Sequence, residues 1–250
     1  SGETRQLSMA MPMYERTSST GIEVMDRWKT GIGWMAHPEE EAKRASHAIR
    51  GDDGVWVFDP LDGPGVEAEL DGLGDVAGVA LLSSHHSRDA DGFAQRYDVP
   101  VHLPNWMDGV ASELDSPVVQ YSAPPAEWVE LRDSGITVRT VDPTTAWKEL
   151  IAYQPSERTL RVPDMLSTVS AMTVRDERLG CYFFHRLAPP REAFADVDPD
   201  RILVGHGEGV FEDASAELDA ALGKARRHLP YALVDQAPTQ LRGIVGALRG

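Results

Sequence analysis

Apolar positions along this chain fall mainly into short continuous runs, punctuated by glycine, proline and aspartate. Such runs predict buried strands, with helices confined to the few segments of helical period. Residues 21–28 and 31–36 read as two strands of a hairpin. Residues 37–51 read as a helix: Pro38 suits its first position, Glu39, Glu40 and Glu41 suit the positive end of its dipole, and Gly51 stops it. The pairs Glu39/Lys43 and Glu40/Arg44 are spaced to share one surface of that helix.

Next come an apolar strand ending in Asp59-Pro60, a glycine-rich loop, a short helix over 66–73, and a fully apolar strand over 76–82. A helix over 89–98 and a strand over 99–104 follow. This alternation predicts a buried sheet with helices on its face. Residues 116–131 carry two consecutive prolines and read as loop and sheet edge. Residues 135–141, 146–153 and 158–164 read as three strands of an antiparallel meander. A strand over 201–205, an amphipathic helix over 212–229 and a terminal helix over 238–250 complete the pattern. No segment is long or polar enough to split the chain. One domain spanning 1–250 is expected, with 1–20 a weakly structured lead-in. The runs 54–60 and 159–165 both end an apolar strand in aspartate, a loose internal rhyme between two halves.

Composition narrows the partners. The net charge is −16, and of the 24 basic residues only 4 are lysine. Dense carboxylates with arginine favoured over lysine resemble proteins adapted to molar salt, where screening makes self-repulsion cheap. No basic stripe exists to neutralise phosphates, so no nucleic-acid partner is expected. No long apolar run predicts a membrane span. The N-terminal stretch lacks an apolar signal core, and the lone Cys181 excludes an internal disulfide, so a reducing, cytoplasmic location is expected. Cys181 lies in 178–187, which reads as a buried strand. Trp28 and Trp34 are core or pocket-rim residues. The sequence leaves the oligomeric state open.

The chemistry concentrates at strand ends. Asp59, His85, His86, Asp89, Asp164 and His206 each close or follow an apolar strand, and open sheets gather ligand sites at such edges. Imidazole and carboxylate donors suit zinc, iron or manganese. In order and spacing these elements resemble the metallo-β-lactamase-like hydrolases, over roughly residues 50–210. "VFDP" matches an early aspartate of that family. "HHSRDADG" lies on its H-x-H-x-D-H-x-G signature, "VPDML" on its bridging aspartate and "LVGHGEG" on its last histidine. The resemblance implies a four-layer αββα sandwich of two related halves. It further implies His85, Asp89, Asp164 and His206 as metal ligands, with Asp89 orienting the attacking water.

Departures accompany the match. Ser87 and Ala90 stand where the signature has histidines, and Asp142 or Thr144 stands near the place of a further one. A register shifted by one would make His86 a ligand but misplace Asp89 and Gly92. Arg88 is placed to pair with Asp89 or Asp164 and neutralise the charge a metal would meet. Asp59, His86, Arg88 and Asp142 are therefore pocket residues. Two readings remain. One is a one-metal hydrolase of a small ester, thioester, lactone or phosphoester, using zinc, or else iron or manganese. The other is a metal-free protein on the same fold that binds a small molecule without catalysis.

Overall fold

The computed structural model describes residues 12–144 and 147–235. The expected terminal helix over 238–250 and the first part of the lead-in lie outside the described residues. In chain order the elements are β1 (Glu23–Trp28), β2 (Gly31–Met35), β3 (Ser46–Arg50), β4 (Val55–Phe58), α1 (Val66–Asp71), β5 (Val76–Ala80), α2 (Ala90–Tyr97), β6 (Val101–Pro104) and α3 (Asp108–Ala111). They continue with β7 (Val118–Tyr121), β8 (Val129–Glu130), β9 (Thr137–Thr144), β10 (Trp147–Gln154), β11 (Thr159–Val162), β12 (Leu166–Ser167), β13 (Gly180–Cys181), β14 (Arg201–Val204) and α4 (Ala214–Asp235).

Strands β1 to β7 form one sheet in sequence order, antiparallel from β1 to β4 and parallel from β4 to β7. A second sheet runs β14-β11-β10-β9-β8, antiparallel except for the parallel pair β11/β14. The meander expected over 135–164 is β9, β10 and β11, and residues 116–131 do supply the sheet edges β7 and β8.

Strand alternation explains the layering. On β4, Val55 and Val57 join Leu70 of α1 and Phe93 of α2 in one apolar cluster, while Trp56 and Phe58 face the other sheet. On β10, Leu150 and Ala152 meet Trp56 and Phe58, while Ile151 turns to the side of α4, beside Leu218 and Ala221. On β14, Leu203 faces the first sheet and Ile202 and Val204 face α4. The result is helices, sheet, sheet, helix: an αββα sandwich. No described helix is long and apolar enough to cross a membrane.

Two expectations need correction. Residues 37–45 form turns, and Ser46–Arg50 is strand β3. The Glu40–Arg44 pair exists, at 2.7 Å, but Lys43 between them has φ 46° and the Arg44 amide donates to the Glu40 carboxylate. Local helix propensity loses to the slot between β2 and β4, where Ala48 and Ile49 are buried. The strand expected over 178–187 shrinks to Gly180–Cys181. Phe183–Arg186 turns as a 3-10 helix instead, because Arg186 is drawn to Glu177 at 2.7 Å. Trp34 is a core residue, one of its two expected roles: it is fully buried and donates to the Leu61 carbonyl at 2.8 Å. Cys181 is buried, and burial pushes its thiol up to about 12, which leaves it an inert core residue.

Candidate metal centre

Two of the parallel pairs, β4/β5 and β11/β14, carry polar residues just beyond their C-terminal ends. Asp59 follows β4, His86 lies in the turn after β5, Asp164 follows β11 and His206 follows β14. The two second-half turns are held close by Gly205, whose amide donates to the Val162 carbonyl at 3.0 Å. A Cβ added at Gly205 would lie 2.0 Å from the Pro163 carbonyl oxygen, so only glycine permits that approach.

Three side chains converge there. Oδ1 of Asp164 lies 3.0 Å from Nε2 of His86 and 3.1 Å from Nε2 of His206. Among the described residues, these three form a group whose metal-capable atoms all lie within 4.8 Å of one another. Of the other two ring nitrogens, that of His206 is hydrogen-bonded, and that of His86 lies within ion-pair distance of a carboxylate without a hydrogen bond. Nδ1 of His206 donates to the Ala42 carbonyl at 2.7 Å. Nδ1 of His86 faces Oδ2 of Asp59 at 3.4 Å, and that oxygen also meets Nη2 of Arg161 at 3.1 Å. The carboxylate–imidazole–carboxylate chain Asp59–His86–Asp164 has the form of a histidine oriented from behind by an acidic partner.

Electrostatics make both carboxylates anionic. Burial opposes charge on Asp164, but His86 and His206 more than offset it and hold the carboxyl well below its usual range. Burial likewise opposes charge on Asp59, and His86, Arg161 and Arg88 overcome it. A carbonyl can only accept, so Nδ1 of His206 carries the ring proton. In the neutral ring, Nε2 then points a lone pair at an ionised carboxylate. That contact requires a cation: either a second proton on the ring or a metal ion. Oδ2 of Asp164 is buried without a hydrogen-bond partner. Two imidazoles and one carboxylate with an unspent oxygen fit a single zinc, iron or manganese ion.

Of the ligand positions expected from sequence, Asp164 and His206 enter this group and His85 and Asp89 do not. His85 is exposed, 6.3 Å from the Trp147 ring between centroids. Oδ2 of Asp89 accepts the Asp62 amide at 2.7 Å, at the start of α2. Arg88 pairs with neither Asp89 nor Asp164. Its Nη1 donates to the carbonyls of Ala45 and Asp59, both at 2.9 Å, from a left-handed backbone with φ 40°. Asp142 is exposed and lines a separate cavity of about 250 Å³ with Lys148 and Trp106.

Sequence reading missed Arg161, Glu149 and Tyr14. Arg161 is fully buried, and its position in a run read as apolar strand is the signal that was available. Buried Glu149 accepts from Trp147 Nε1 at 2.9 Å and from the Met165 amide at 3.1 Å. Tyr14, on the lead-in, joins His86, Asp164, His206, Trp147 and Tyr182 around a cavity of about 1560 Å³.

No family model matches this chain, and no curated protein matches it in sequence. Solved structures do match. The metallo-β-lactamase FIM-1 from Pseudomonas aeruginosa, in its mono-zinc form, gives a TM-score of 0.59 at 9% identity, over 85% of this chain and 98% of its own. The metallo-β-lactamase from Hirschia baltica gives 0.56 at 10% identity, over 82% and 98%. The metal-soaked Flv1 flavodiiron core from Synechocystis sp. gives 0.58 at 9% identity, over 85% and 62%. The chain therefore has the metallo-β-lactamase fold.

Proposed function

We propose that this protein is a one-metal hydrolase of a small ester, thioester, lactone or phosphoester, with His86, Asp164 and His206 as its protein ligands. The observation that carries this reading is the His206 ring, whose Nδ1–H is committed to Ala42 and whose Nε2 faces an ionised Asp164. When bound, a divalent ion would acidify a coordinated water and polarise a substrate oxygen. The chain's own residues do the rest. Asp59 fixes the His86 ring from behind, and Ala42 fixes that of His206. Burial, then the charge of Asp164, pushes the Tyr14 and Tyr182 phenols up, so both stay protonated donors at the cavity wall. With Ser87 and Ala90 in histidine places, the site has donors for one ion rather than two.

The metal-free alternative has one observation in its favour. The contacts of 3.0 and 3.1 Å are hydrogen-bond lengths, which two imidazolium rings donating to Asp164 would satisfy. Metal titration of protein purified without a polyhistidine tag, in dilute and in molar salt, decides between them. One equivalent of zinc, iron or manganese is expected, abolished in Asp164→Ala and His206→Ala. No binding at saturating metal would remove the hydrolase reading and leave the binding protein.

A further inference from the structure

We infer that the ligand of this cavity carries a flat aryl group, seated against the half-buried rings of Trp147 and Tyr182 beside the Asp164 cluster. That this ligand is a substrate rests on the hydrolase reading; the binding preference itself does not.

Trp147 opens β10, and Tyr182 follows β13. Their rings stack at 4.9 Å between centroids and 30° between planes. The edge of His185 abuts Trp147 at 5.3 Å and 75°, and the Trp147 N–H is spent on Glu149 at 2.9 Å. The indole is thus pinned on a face, an edge and its one polar atom. Glu149 also accepts the Met165 amide, the residue after Asp164, so the wall is indexed to the ligand turn. Both rings are only half-buried and both line the cavity that Asp164 and His206 line. A rigid, partly open aromatic face is a ready stacking partner for another flat group.

Charge recognition has less to offer here. Arg44 is committed to Glu40 at 2.7 Å, and Arg96 to Asp62 and Glu67. Arg88 spends Nη1 on two carbonyls, while its Nε and Nη2 are buried without a hydrogen-bond partner. Burial lowers His185 to about 4, so that ring adds no charge behind Trp147. A pocket of this kind selects by shape and apolar contact, with a few polar groups fixing orientation.

The test compares 2-naphthamide with its puckered decahydro counterpart, read by saturation-transfer NMR and tryptophan fluorescence on the full chain. The flat amide should bind about fivefold or more tightly. Trp147→Leu and Tyr182→Leu should each erase that preference while metal stoichiometry stays that of the parent. Equal affinity of the two amides, absence of binding, or a preference that survives both substitutions overturns the inference. Aryl preference in a protein that takes up no metal would sink the hydrolase reading and leave this one standing. Metal uptake without aryl preference would do the reverse.

Discussion

The two halves of the sandwich reach the same rim in different ways. In the second half, Asp164 and His206 each sit two residues past the end of a strand, and those strands pair in register, Val162 opposite Val204. The sheet itself sets their separation. In the first half, a turn after β5 delivers seven polar residues in a row, Ser83–Asp89, and sends them in different directions. His86 goes to Asp164, Arg88 turns back to two carbonyls, Asp89 goes to the Asp62 amide and His85 faces Trp147. A ladder fixes position residue by residue, whereas in a turn adjacent residues such as His85 and His86 can point to different places.

The largest expected effect tests that sorting directly. Asp164→Ala removes the carboxylate both imidazoles share, and zinc affinity measured by calorimetry should fall by more than about a hundredfold. His86→Ala should fall as far, while His85→Ala should stay within about threefold of the parent. The opposite ranking of the two histidine variants would break the comparison, because the first-half turn would then present the register the sequence motif suggests.

Next in size is the link between the halves. Arg161 on β11 and Asp59 after β4 are both fully buried, and they meet at 3.1 Å across the two sheets. Arg161→Met strands a buried carboxylate, and urea unfolding should show a loss of about 3–5 kcal/mol. The double variant Arg161→Met with Asp59→Asn should lose clearly less than the sum of the two singles, since each alone leaves the other unpaired. Additivity would mean that the pair does not join the halves.

Much of this was legible from hydrophobic pattern alone. Most strands of both sheets, though not β3, together with the α2 and α4 helices and the strand-end aspartates, follow from short apolar runs with polar stops. Position 161 was also visible, as a lone arginine in an apolar strand, but nothing local says that its partner lies 102 residues away. Residues 37–50 misled because helix punctuation there is real, and only a strand slot built from distant residues overrides it. His86 was harder still. Choosing it over His85 depends on how the turn after β5 closes, with the His86 amide donating to the Ser83 carbonyl at 3.0 Å, which no residue-type pattern encodes.

A smaller effect comes from pH. Burial lowers His47, His102 and His185 to about 4, so in the folded chain all three stay neutral over a range in which the unfolded chain takes up protons. The unfolded state binds more protons between about pH 6.5 and 4, so stability rises with pH across that window and falls as the solution is acidified. Glu149 works the other way. Burial, then Asp164, raises it to about 8, and its contribution is lost as pH rises from about 4.5 to 8. The net fall from pH 6.5 to 5 should be about 2–3 kcal/mol by urea unfolding. Two of the three histidines belong to the first half, so His47→Gln with His102→Gln should flatten most of that slope. A slope unchanged in that double variant would place the acid sensitivity elsewhere.

The smallest effect is the most discriminating for the first-half turn. Asp89 is exposed, and its carboxylate serves the Asp62 amide at 2.7 Å, tying the glycine-rich loop after β4 to the start of α2. Its loss in Asp89→Ala removes one charge-assisted hydrogen bond at a surface, with an expected cost of about 1 kcal/mol. Metal affinity should stay within about threefold, because no atom of Asp89 belongs to the Asp164 group. The same substitution would be among the most damaging if the family signature operated in its usual register. Calorimetry with zinc and urea unfolding on this one variant therefore separate a loop tie from a ligand. A large loss of metal with little loss of stability would return the catalytic role to Asp89 and require the turn to rearrange around the ion.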